Sequence, residues 1–502
     1  NMIEQRTVNL QPLENDAPPE KMRPLALWPL DRGEGHGQVT LLLDDEKRFQ
    51  PAGLHFGEVR GFGKFIQGPP FWELPVPVQR LCGICPVSHH LAAGKAIDQL
   101  VGVDQLTPTA EKVRRLMHYG QLLQSHALHF FHLSSPDLLF GFDSEISQRN
   151  IVGLINAHPD LAKQGVLLRK FGQEVIRVTA GKRIHGTCAI PGGVNKALDS
   201  SERDYLQQDI RQIVSWGESA LQLARKLFME SLEQNQQFAR IDTHMMSLCQ
   251  DDGALELYHG GLRVTAIDGH RIMDHVDYRG YDQHIREEVK SWSYMKFPYL
   301  QQLGPDEGSY RVGPLARINN CDYIDTPLAE KARIDFRPLN RHGLVQSTLA
   351  YHWARMIELL HCAEKIEQLL DDPDLLGHDL KQTGEMRQRG IGVIEAPRGT
   401  LIHDYEIDAD GLVSRANLIV STTHNNRAMN ESVRRVAADL FNGQEITEGM
   451  LNHIEVAIRA YDPCLSCATH ALGKMPLVIE LQQPDGQIVD RLIKDTQGEL
   501  KR

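Results

Sequence analysis

The chain of 502 residues carries a formal net charge of -12, with 41% hydrophobic and 24% charged residues. This composition is typical of a globular protein with a large core and excludes a disordered or fibrous chain. The negative charge argues against a general nucleic-acid binder, which needs a basic face to neutralise phosphates, so partners are expected to be proteins or small molecules. No apolar run approaches the roughly 20 residues that cross a bilayer. The polar N-terminus also lacks the pattern of a secretory signal, so we predict a cytoplasmic protein without a membrane span.

Short strands and long helices are predicted along the chain. A strand is predicted at QVTLLLD, and apolar residues at helical spacing predict a helix of about six turns in TAEKVRRLMHYGQLLQSHALHFFHL. Runs that flank Asp-Gly turns predict hairpins over 400–420 and in LVIELQQPDGQIVDRL. The fold is therefore predicted to be mainly α with small β additions (α+β), with a helical-bundle core and peripheral short sheets and hairpins. Further helices are predicted over 202–238, 344–371, 427–440 and 446–459.

Eight cysteines are too few for a disulfide scaffold. Four of them form two C-x-x-C pairs, Cys82/Cys85 in RLCGICPVSHH and Cys464/Cys467 in YDPCLSCATH. Because a C-x-x-C turn can present both thiolates to one metal, the two pairs are interpreted as halves of one site. The other four are predicted to be buried as small apolar residues; they are Cys188, Cys249, Cys321 and Cys362.

Four thiolates suit zinc, nickel or iron. Pairs in structural zinc sites usually lie within a few tens of residues of each other, yet spacing alone leaves structural zinc and a catalytic metal both open. Three polar or glycine-rich segments without an evident packing role favour a catalytic metal. These segments are GEGHG, IEAPRG and GKRIHGTCAIPGGVNK.

Together, RLCGICPVSHH and DPCLSCATH resemble the paired cysteine motifs of the nickel-iron hydrogenase large (catalytic) subunit, R-x-C-G-x-C-x-x-x-H and D-P-C-x-x-C-x-x-H. The segments GEGHG, SHALHFFHLSSPD, GKRIHGTCAIPGG, GPLAR and IEAPRG also resemble family segments. The resemblance covers about residues 25 to 470, and the sequences of these segments are most similar to those of the soluble NAD-reducing group. It implies the large-subunit fold of that family and the reversible heterolytic cleavage of dihydrogen.

The resemblance also implies a ligand set. Cys82 and Cys464 would be terminal ligands of nickel, while Cys85 and Cys467 would bridge it to an iron that carries cyanide and carbon monoxide. Cys464 would accept a proton, which Glu34 would relay.

Further residues gain implied roles from the same resemblance. Arg398 would lie over the open metal position, held by Asp137 and Asp462. Each residue also has a plain alternative: a solvated Glu34, a surface ion pair for Arg398, a helix cap at Asp137, and core packing for the histidines. The residues expected to border the iron ligands are Pro397 and Ser421, and the one expected beside a bridging sulfur is His89.

In the family a glutamate usually stands where this chain has Gly63, and it binds magnesium together with the histidine matched by His470. The resemblance therefore implies a magnesium site for which the chain keeps His470 as a ligand and lacks the glutamate. It further implies that 471–502 is a C-terminal extension removed on maturation, which leaves 1–470 as a single large catalytic domain.

Partner subunits are implied as well. The sequence has no further cysteine cluster for iron-sulfur ligation and no G-x-G-x-x-G signature after a strand. Electrons would therefore pass to a small subunit with iron-sulfur clusters and then to diaphorase subunits that bind FMN and NAD.

Three other functions remain open at this point. A metal-free, quinone-binding subunit of the NADH dehydrogenase type would not need all four thiolates. A zinc-stabilised structural protein would bind one zinc and unfold on chelation. A hydrogen sensor of the same family would differ from an enzyme only in its turnover.

Overall fold

The computed structural model describes residues 23–27, 32, 34, 38–43, 49–55, 62–290, 293–339, 343–440, 447–468, 477–482, 488–494 and 500–501. The α-helices in this part of the chain are α1 (Phe62–Phe65), α2 (Pro86–Leu100), α3 (Pro108–Leu128), α4 (Ser135–Phe140), α5 (Ile151–Ala157), α6 (Pro159–Ala180), α7 (Ser200–Glu230), α8 (Leu232–Gln237), α9 (Gly304–Glu307), α10 (Pro314–Asn320), α11 (Pro327–Phe336), α12 (Ala350–Leu370), α13 (Ser421–His424), α14 (Asn426–Leu440), α15 (Glu448–Ala460) and α16 (Leu465–Ala468).

The strands are mostly short. They are β1 (Arg23–Leu27), β2 (Gln38–Leu43), β3 (Phe49–His55), β4 (Ala189–Ile190), β5 (Gly193–Val194), β6 (His244–Cys249), β7 (Gly261–Thr265), β8 (Arg271–Val276), β9 (Ile285–Glu288), β10 (Phe297–Leu300), β11 (Tyr310–Arg311), β12 (Arg389–Ala396), β13 (Gly399–Ile407), β14 (Val413–Ile419), β15 (Leu477–Gln482), β16 (Ile488–Lys494) and β17 (Leu500–Lys501).

A bundle of long helices forms the centre of the fold. Helix α3 packs against α6 and α12, and α12 packs against α7. The apolar stripe predicted for α3 is buried, with Val113, Leu116 and Met117 fully shielded from solvent. Helix α3 begins after Thr107, whose hydroxyl accepts the Ala110 N–H at 3.2 Å. The mainly α prediction is therefore confirmed, and its core is the predicted helical bundle.

Small sheets surround the bundle. The sheets β1-β2-β3, β12-β13-β14 and β15-β16-β17 are antiparallel, as are the pairs β4-β5 and β9-β10. A four-stranded sheet has the order β11-β6-β7-β8, in which β11 runs parallel to β6. Both predicted hairpins are confirmed, since β13 pairs with β14 and β15 pairs with β16.

Some predicted boundaries are wrong. The helix predicted over 202–238 is interrupted at Ser231, which leaves the helical region with φ -131° and ψ 51°. The helix predicted over 344–371 begins only at Ala350. The predicted helix from Thr109 continues past α3 as a π-helical turn over His129–Ser134. Within the described part of the chain, no helix is both long and apolar enough to cross a membrane.

Helix α2 lies directly on strand β12, and this contact positions the first cysteine pair. A Cβ atom on Gly390 or Gly392 would come within 2.0 Å of the carbonyl oxygen of Ala96 or Ala92. Only glycine allows backbone to approach backbone so closely. The N-terminal end of α2, which follows Cys85, is thereby held beside the turn between β12 and β13.

Candidate metal centre

The two C-x-x-C pairs meet in one buried cluster. The Sγ atoms of Cys82, Cys85, Cys464 and Cys467 all lie within 4.8 Å of one another. The Cys82 and Cys464 sulfurs are 3.3 Å apart, although 382 residues separate them in the chain. The cluster therefore joins two distant parts of the sequence, in agreement with the interpretation of the two pairs as halves of one site.

The first pair is shaped by a short turn between two helices. Cys82 ends the 3-10 helix Pro77–Leu81, and its sulfur accepts the N–H groups of Ile84 and Cys85 at 3.2 and 3.1 Å. Cys85 then caps the N-terminus of α2, where Pro86 takes the first helical position. The positive end of the helix favours a thiolate at Cys85.

The second pair follows α15 through a strained turn. Asp462 has φ 54°, a left-handed conformation that aspartate tolerates better than most residues. The Cys464 N–H then donates to the Thr422 hydroxyl at 2.9 Å. These contacts fix the direction in which the second pair enters the cluster.

Glu34 lies beside the second pair, where the sequence had suggested a proton relay. Its backbone forms an isolated parallel bridge with Cys464, and its carbonyl oxygen accepts the Leu465 N–H at 3.0 Å. Its carboxylate accepts the Ser466 N–H at 3.1 Å. Glu34 is half-buried, whereas the cysteines of the cluster are buried, so this residue beside the second pair is partly open to solvent.

Cys85 differs in acidity from the two thiols of the second pair. Hydrogen bonds from Cys464, Cys467 and Cys82, joined by one from His89, lower the pKa of Cys85 well below its usual value. Burial raises the pKa values of Cys464 and Cys467 well above theirs. A first negative charge in the cluster is therefore stabilised at the Cys85 sulfur.

Arg398 lies in the two-residue turn of a tight hairpin. Residues Pro397 and Arg398 connect β12 to β13, and Ala396 pairs with Gly399. Gly399 has φ 139°, and a Cβ there would lie 2.2 Å from the Cγ2 atom of Val312. Glycine is thus required at this position, because a side chain would push the turn and its arginine away from the cluster.

The Arg398 guanidinium is buried and held by Asp462. Its Nε donates to the Asp462 carbonyl oxygen at 2.5 Å, and its Nη2 donates to Oδ1 at 3.2 Å. Burial alone would lower the pKa of Arg398, but Asp462 and the nearby thiols raise it well above its usual value. Burial raises the pKa of Asp462 to about 6, against the opposing effect of the two arginines near it. Arg398 Nη1 is buried without a hydrogen-bond partner among the described residues, which leaves both of its N–H donors unused.

Asp137 makes its described hydrogen bonds with residues other than Arg398, and its role towards Arg398 stays a prediction. Its carboxylate accepts hydrogen bonds from Arg32 Nη2 at 2.7 Å, Arg459 Nη1 at 2.5 Å and Asn452 Nδ2 at 3.2 Å. These donors occupy both oxygens and draw the carboxylate towards α15. Asp137 ties Arg32, two residues before Glu34, to the helix that leads to Cys464.

Ser421 and Pro397 lie at the same hairpin. The Ser421 hydroxyl donates to the Gly399 carbonyl oxygen at 2.7 Å, at the start of α13. The Pro397 carbonyl oxygen accepts a hydrogen bond from Arg317 Nη2 at 3.2 Å. Both predicted residues therefore flank Arg398, and their roles towards an iron ligand stay predictions.

A buried network of charged side chains hydrogen-bonds to this hairpin. Arg317 donates to both oxygens of Glu358 at 2.6 and 2.7 Å and to Glu395 at 2.8 Å. It also donates to the carbonyl oxygen of Ala396 at 2.9 Å. Arg317, Glu358 and Glu395 are all fully buried. The network was missed from the sequence, although Arg317 stands in GPLAR and Glu395 in IEAPRG, two segments that the resemblance had singled out.

The implied magnesium site remains a prediction. His470 lies outside the described residues. Gly63 lies in α1 and offers no side-chain ligand. The four scattered cysteines are all buried away from the cluster, which confirms their prediction as core residues.

The donor set fits a soft metal ion. Two metal–thiolate bonds of about 2.3 Å can separate opposite sulfurs by no more than about 4.6 Å. The observed limit of 4.8 Å is close to that value. A cation at this position would be surrounded by thiolates.

Comparisons with known proteins agree with this geometry. A model of the family "Nickel-dependent hydrogenase" matches residues 60–140 and 233–470. The chain belongs to this family of nickel-dependent hydrogenases. Neither the quinone-binding nor the zinc-stabilised alternative is supported by these matches.

Individual relatives extend the likeness over most of the chain. The NAD-reducing hydrogenase HoxS subunit beta of Cupriavidus necator is 48% identical over 483 residues, which cover 93% of this chain and 99% of that protein. One subunit of the F420-non-reducing hydrogenase of Methanothermobacter thermautotrophicus is 40% identical over 475 residues, with coverage of 93% and 99%. A crystal structure of an NAD+-reducing [NiFe]-hydrogenase in the H2-reduced state matches with a TM-score of 0.88 and 56% identity, covering 90% of this chain and all of that chain.

Proposed function

We propose that the chain is the catalytic subunit of a nickel-iron hydrogenase that cleaves dihydrogen heterolytically and reversibly. The observation that carries the proposal is the buried cluster of four cysteine sulfurs with Arg398 and Glu34 at its edges. Because the chain belongs to the nickel-dependent hydrogenases, nickel is a metal that such a donor set would hold.

Cys82, Cys85, Cys464 and Cys467 would bind the metals, with Cys85 and Cys467 between nickel and an iron that carries cyanide and carbon monoxide. When bound, the nickel-iron pair would supply a Lewis acid that polarises dihydrogen. Pro397 and Ser421 would border the diatomic ligands of iron, because both lie at the turn that carries Arg398.

Proton transfer would begin at the Cys464 sulfur. Glu34 lies next to Cys464 through the backbone bridge and accepts the Ser466 N–H, so its carboxylate is held at a fixed position beside the cluster. A half-buried carboxylate can take a proton from a buried thiol and release it towards the outside. Arg398 would contribute a fixed positive charge, since Asp462 orients its guanidinium in a buried position.

Replacement of Glu34 by glutamine tests the proposed relay. The amide oxygen still accepts the Ser466 N–H, but the side chain no longer carries a titratable proton. We expect the rate of hydrogen oxidation to fall by about 10²- to 10⁴-fold. Nickel and iron contents should stay at the parent values. The rate is measured with a dye acceptor, and exchange between H2 and D2O reports the proton step separately.

Glu364→Gln provides a matched control. Glu364 also accepts backbone N–H groups, from Leu328 at 2.9 Å and Ala329 at 3.0 Å, but it lies on α12 away from the cluster. Its variant should keep the parent rate. A metal-loaded Glu34→Gln protein that is as active as the parent would rule out the relay.

Electrons would leave through partner subunits. We propose a small subunit with iron-sulfur clusters and a diaphorase module with FMN and NAD, because the relatives named above include an NAD-reducing hydrogenase subunit. The cytoplasmic location stays a prediction.

The surface around the first pair offers a place for the iron-sulfur partner. The carbonyl oxygen of Cys82 lies 3.4 Å from His185 Nε2, and His185 contacts the exposed Arg80. Trp72 and Val76, which precede Cys82 in the chain, are 51% and 47% exposed. Exposed aromatic side chains such as Trp72 are of the type enriched in the cores of protein interfaces.

Elemental analysis tests the function directly. The protein is produced with its partner subunits in a host that matures such enzymes, and its intact mass establishes that 471–502, the proposed extension, has been removed. Nickel and iron at about one each per chain, with hydrogen-dependent NAD reduction by the complex, are expected. Zinc alone in the processed chain would overturn the proposal.

A further inference from the structure

Three buried side chains form a hydrogen-bonded row that starts at the cluster. His89 lies one helical turn after Cys85, which caps α2, and it is among the groups that lower the pKa of the Cys85 thiol. His89 Nδ1 lies 3.1 Å from His403 Nε2, and His403 Nδ1 lies 2.6 Å from the Tyr405 hydroxyl. All three side chains are at most 1% exposed. His403 and Tyr405 have no part in the function proposed above.

The sheet register explains how this row forms. His403 and Tyr405 are two residues apart on β13, so both point to the same face of the sheet. Their cross-strand partners on β12 are Gly392 and Gly390. Those glycines let α2 lie against this face, which brings His89 to His403.

The direction of the hydrogen bonds follows from the last member of the row. Among the described residues, the Tyr405 hydroxyl has one hydrogen-bond partner, the Nδ1 atom of His403. A buried O–H without an acceptor costs about 1–3 kcal/mol, so this hydroxyl donates to His403 Nδ1. A neutral His403 then carries its proton on Nε2 and donates to His89 Nδ1. His89 in turn carries its proton on Nε2, the nitrogen left for the bond to the Cys85 sulfur.

We propose that Tyr405 and His403 are positioning residues that hold His89 as a hydrogen-bond donor to the Cys85 sulfur. This inference rests on the proposed function, in which Cys85 lies between nickel and iron. A donor to a ligating sulfur withdraws electron density from the metals, and residues that orient such a donor affect affinity or activity by about 10- to 100-fold. Tyr405 has no further hydrogen-bond partner in the described chain, so the row ends at this residue. The row therefore fixes which atom donates in each hydrogen bond, and it does not conduct protons to the surface.

Tyr405→Phe removes the terminal donor and keeps the shape of the ring. In the processed, metal-loaded complex we expect parent contents of nickel and iron. The infrared bands of carbon monoxide and cyanide on iron should shift to lower wavenumber, because the Cys85 sulfur becomes the stronger electron donor. Hydrogen oxidation should fall by about tenfold.

Tyr281→Phe is the matched control. Tyr281 is also a buried tyrosine, and its hydroxyl donates at 2.9 Å to Asp404, which points to the opposite face of β13. This variant should keep the parent bands and the parent rate. Unshifted bands in Tyr405→Phe, equal shifts in both variants, or a Tyr405→Phe chain that loses its metals while Tyr281→Phe keeps them would each overturn the proposal.

Substitutions at His403 provide a second test. A glutamine can accept from Tyr405 and donate to His89, so His403→Gln should keep bands close to those of the parent. His403→Leu can do neither and should shift them as Tyr405→Phe does. The proposal fails if both variants shift equally or if neither shifts. Absence of nickel and iron from the parent itself would instead refute the proposed function.

Discussion

Cys464→Ala is expected to abolish both nickel binding and hydrogen oxidation. The substitution removes one of four sulfurs that lie within 4.8 Å of one another. It also removes the thiol that would accept the proton next to Glu34. Since thiolate ligands supply most of the binding free energy at such a site, three sulfurs should not retain the metal. Elemental analysis and a dye-reduction assay measure the two effects on the same preparation.

Cys362→Ala is the control for the loss of a buried thiol. Cys362 is fully shielded in α12 and lies outside the cluster, so its variant should bind nickel as the parent does. The expected destabilisation is that of a small cavity in the core, about 1 kcal/mol. Parent nickel content in Cys464→Ala would show that this residue is not a ligand.

Arg317→Met is expected to produce the largest loss of stability among single substitutions in the hairpin network. Removal of the guanidinium leaves Glu358 and Glu395 buried without their partner. Breaking a buried ion pair in this way costs about 3–5 kcal/mol. Urea unfolding measures the loss as a lower midpoint at an unchanged slope. Activity should also fall, because Arg317 holds the carbonyl oxygens of Ala396 and Pro397 beside Arg398.

Arg177→Met is the control for the loss of an arginine outside this network. Arg177 pairs with Glu174 on α6, and its side chain is 42% exposed. The Arg177 end of the pair is accessible to solvent and Glu174 keeps Arg183 as a second partner, so the loss should be about 0–1 kcal/mol and the control should unfold close to the parent midpoint. A loss below about 1 kcal/mol in Arg317→Met would contradict the role given to the network.

Within this network, the acid dependence contributed by Glu358 has a defined sign, opposite to that of Glu395, whose pKa is raised by burial. Burial raises the pKa of Glu358, but Arg317 outweighs it, and the pKa falls to about 2. A carboxylate with a depressed pKa stabilises the fold above its unfolded pKa of about 4.3 and loses that contribution as the pH falls towards 2. Glu358→Gln should therefore show a weaker loss of stability than the parent between these pH values.

The helical part of the fold was predictable because its signals are local. In α3 the apolar residues recur every three or four positions, and the predicted buried stripe is the observed one. The break at Ser231 was not predictable in the same way. Ser231 leaves the helical region with φ -131° and ψ 51°, and no glycine or proline marks the break in the sequence.

The sheet around β6, β7 and β8 was missed although a signal exists. The segment GLRVTAIDGHRIMDHV places apolar and β-branched residues on both sides of Asp268-Gly269. The same pattern had predicted the hairpin at β13 and β14. Strand β11 gives no comparable signal, since it pairs over only two residues with a strand about 65 positions earlier.

Within the site, the identities of the residues were easier to predict than their hydrogen-bond partners. The motifs identified the four cysteines and placed Glu34 and Asp462 near them. The partners of Asp137 depend on where α15 and the segment around Arg32 meet, which no local pattern specifies. The row from His89 to Tyr405 likewise depends on the packing of α2 against two glycines of β12.

The separation of 382 residues between Cys82 and Cys464 also determines how long after the first cysteine pair the second is synthesised. At about 5–20 residues per second, a ribosome needs roughly 20 to 80 seconds to reach the second pair after the first has been made. During this interval the nascent chain offers an incoming ion two thiols from the first pair, without Cys464 or Glu34 in contact with them. All four cysteine ligands are therefore available together only after the second pair has been made. An ion bound before that point has two of the four cysteine ligands and should exchange more readily.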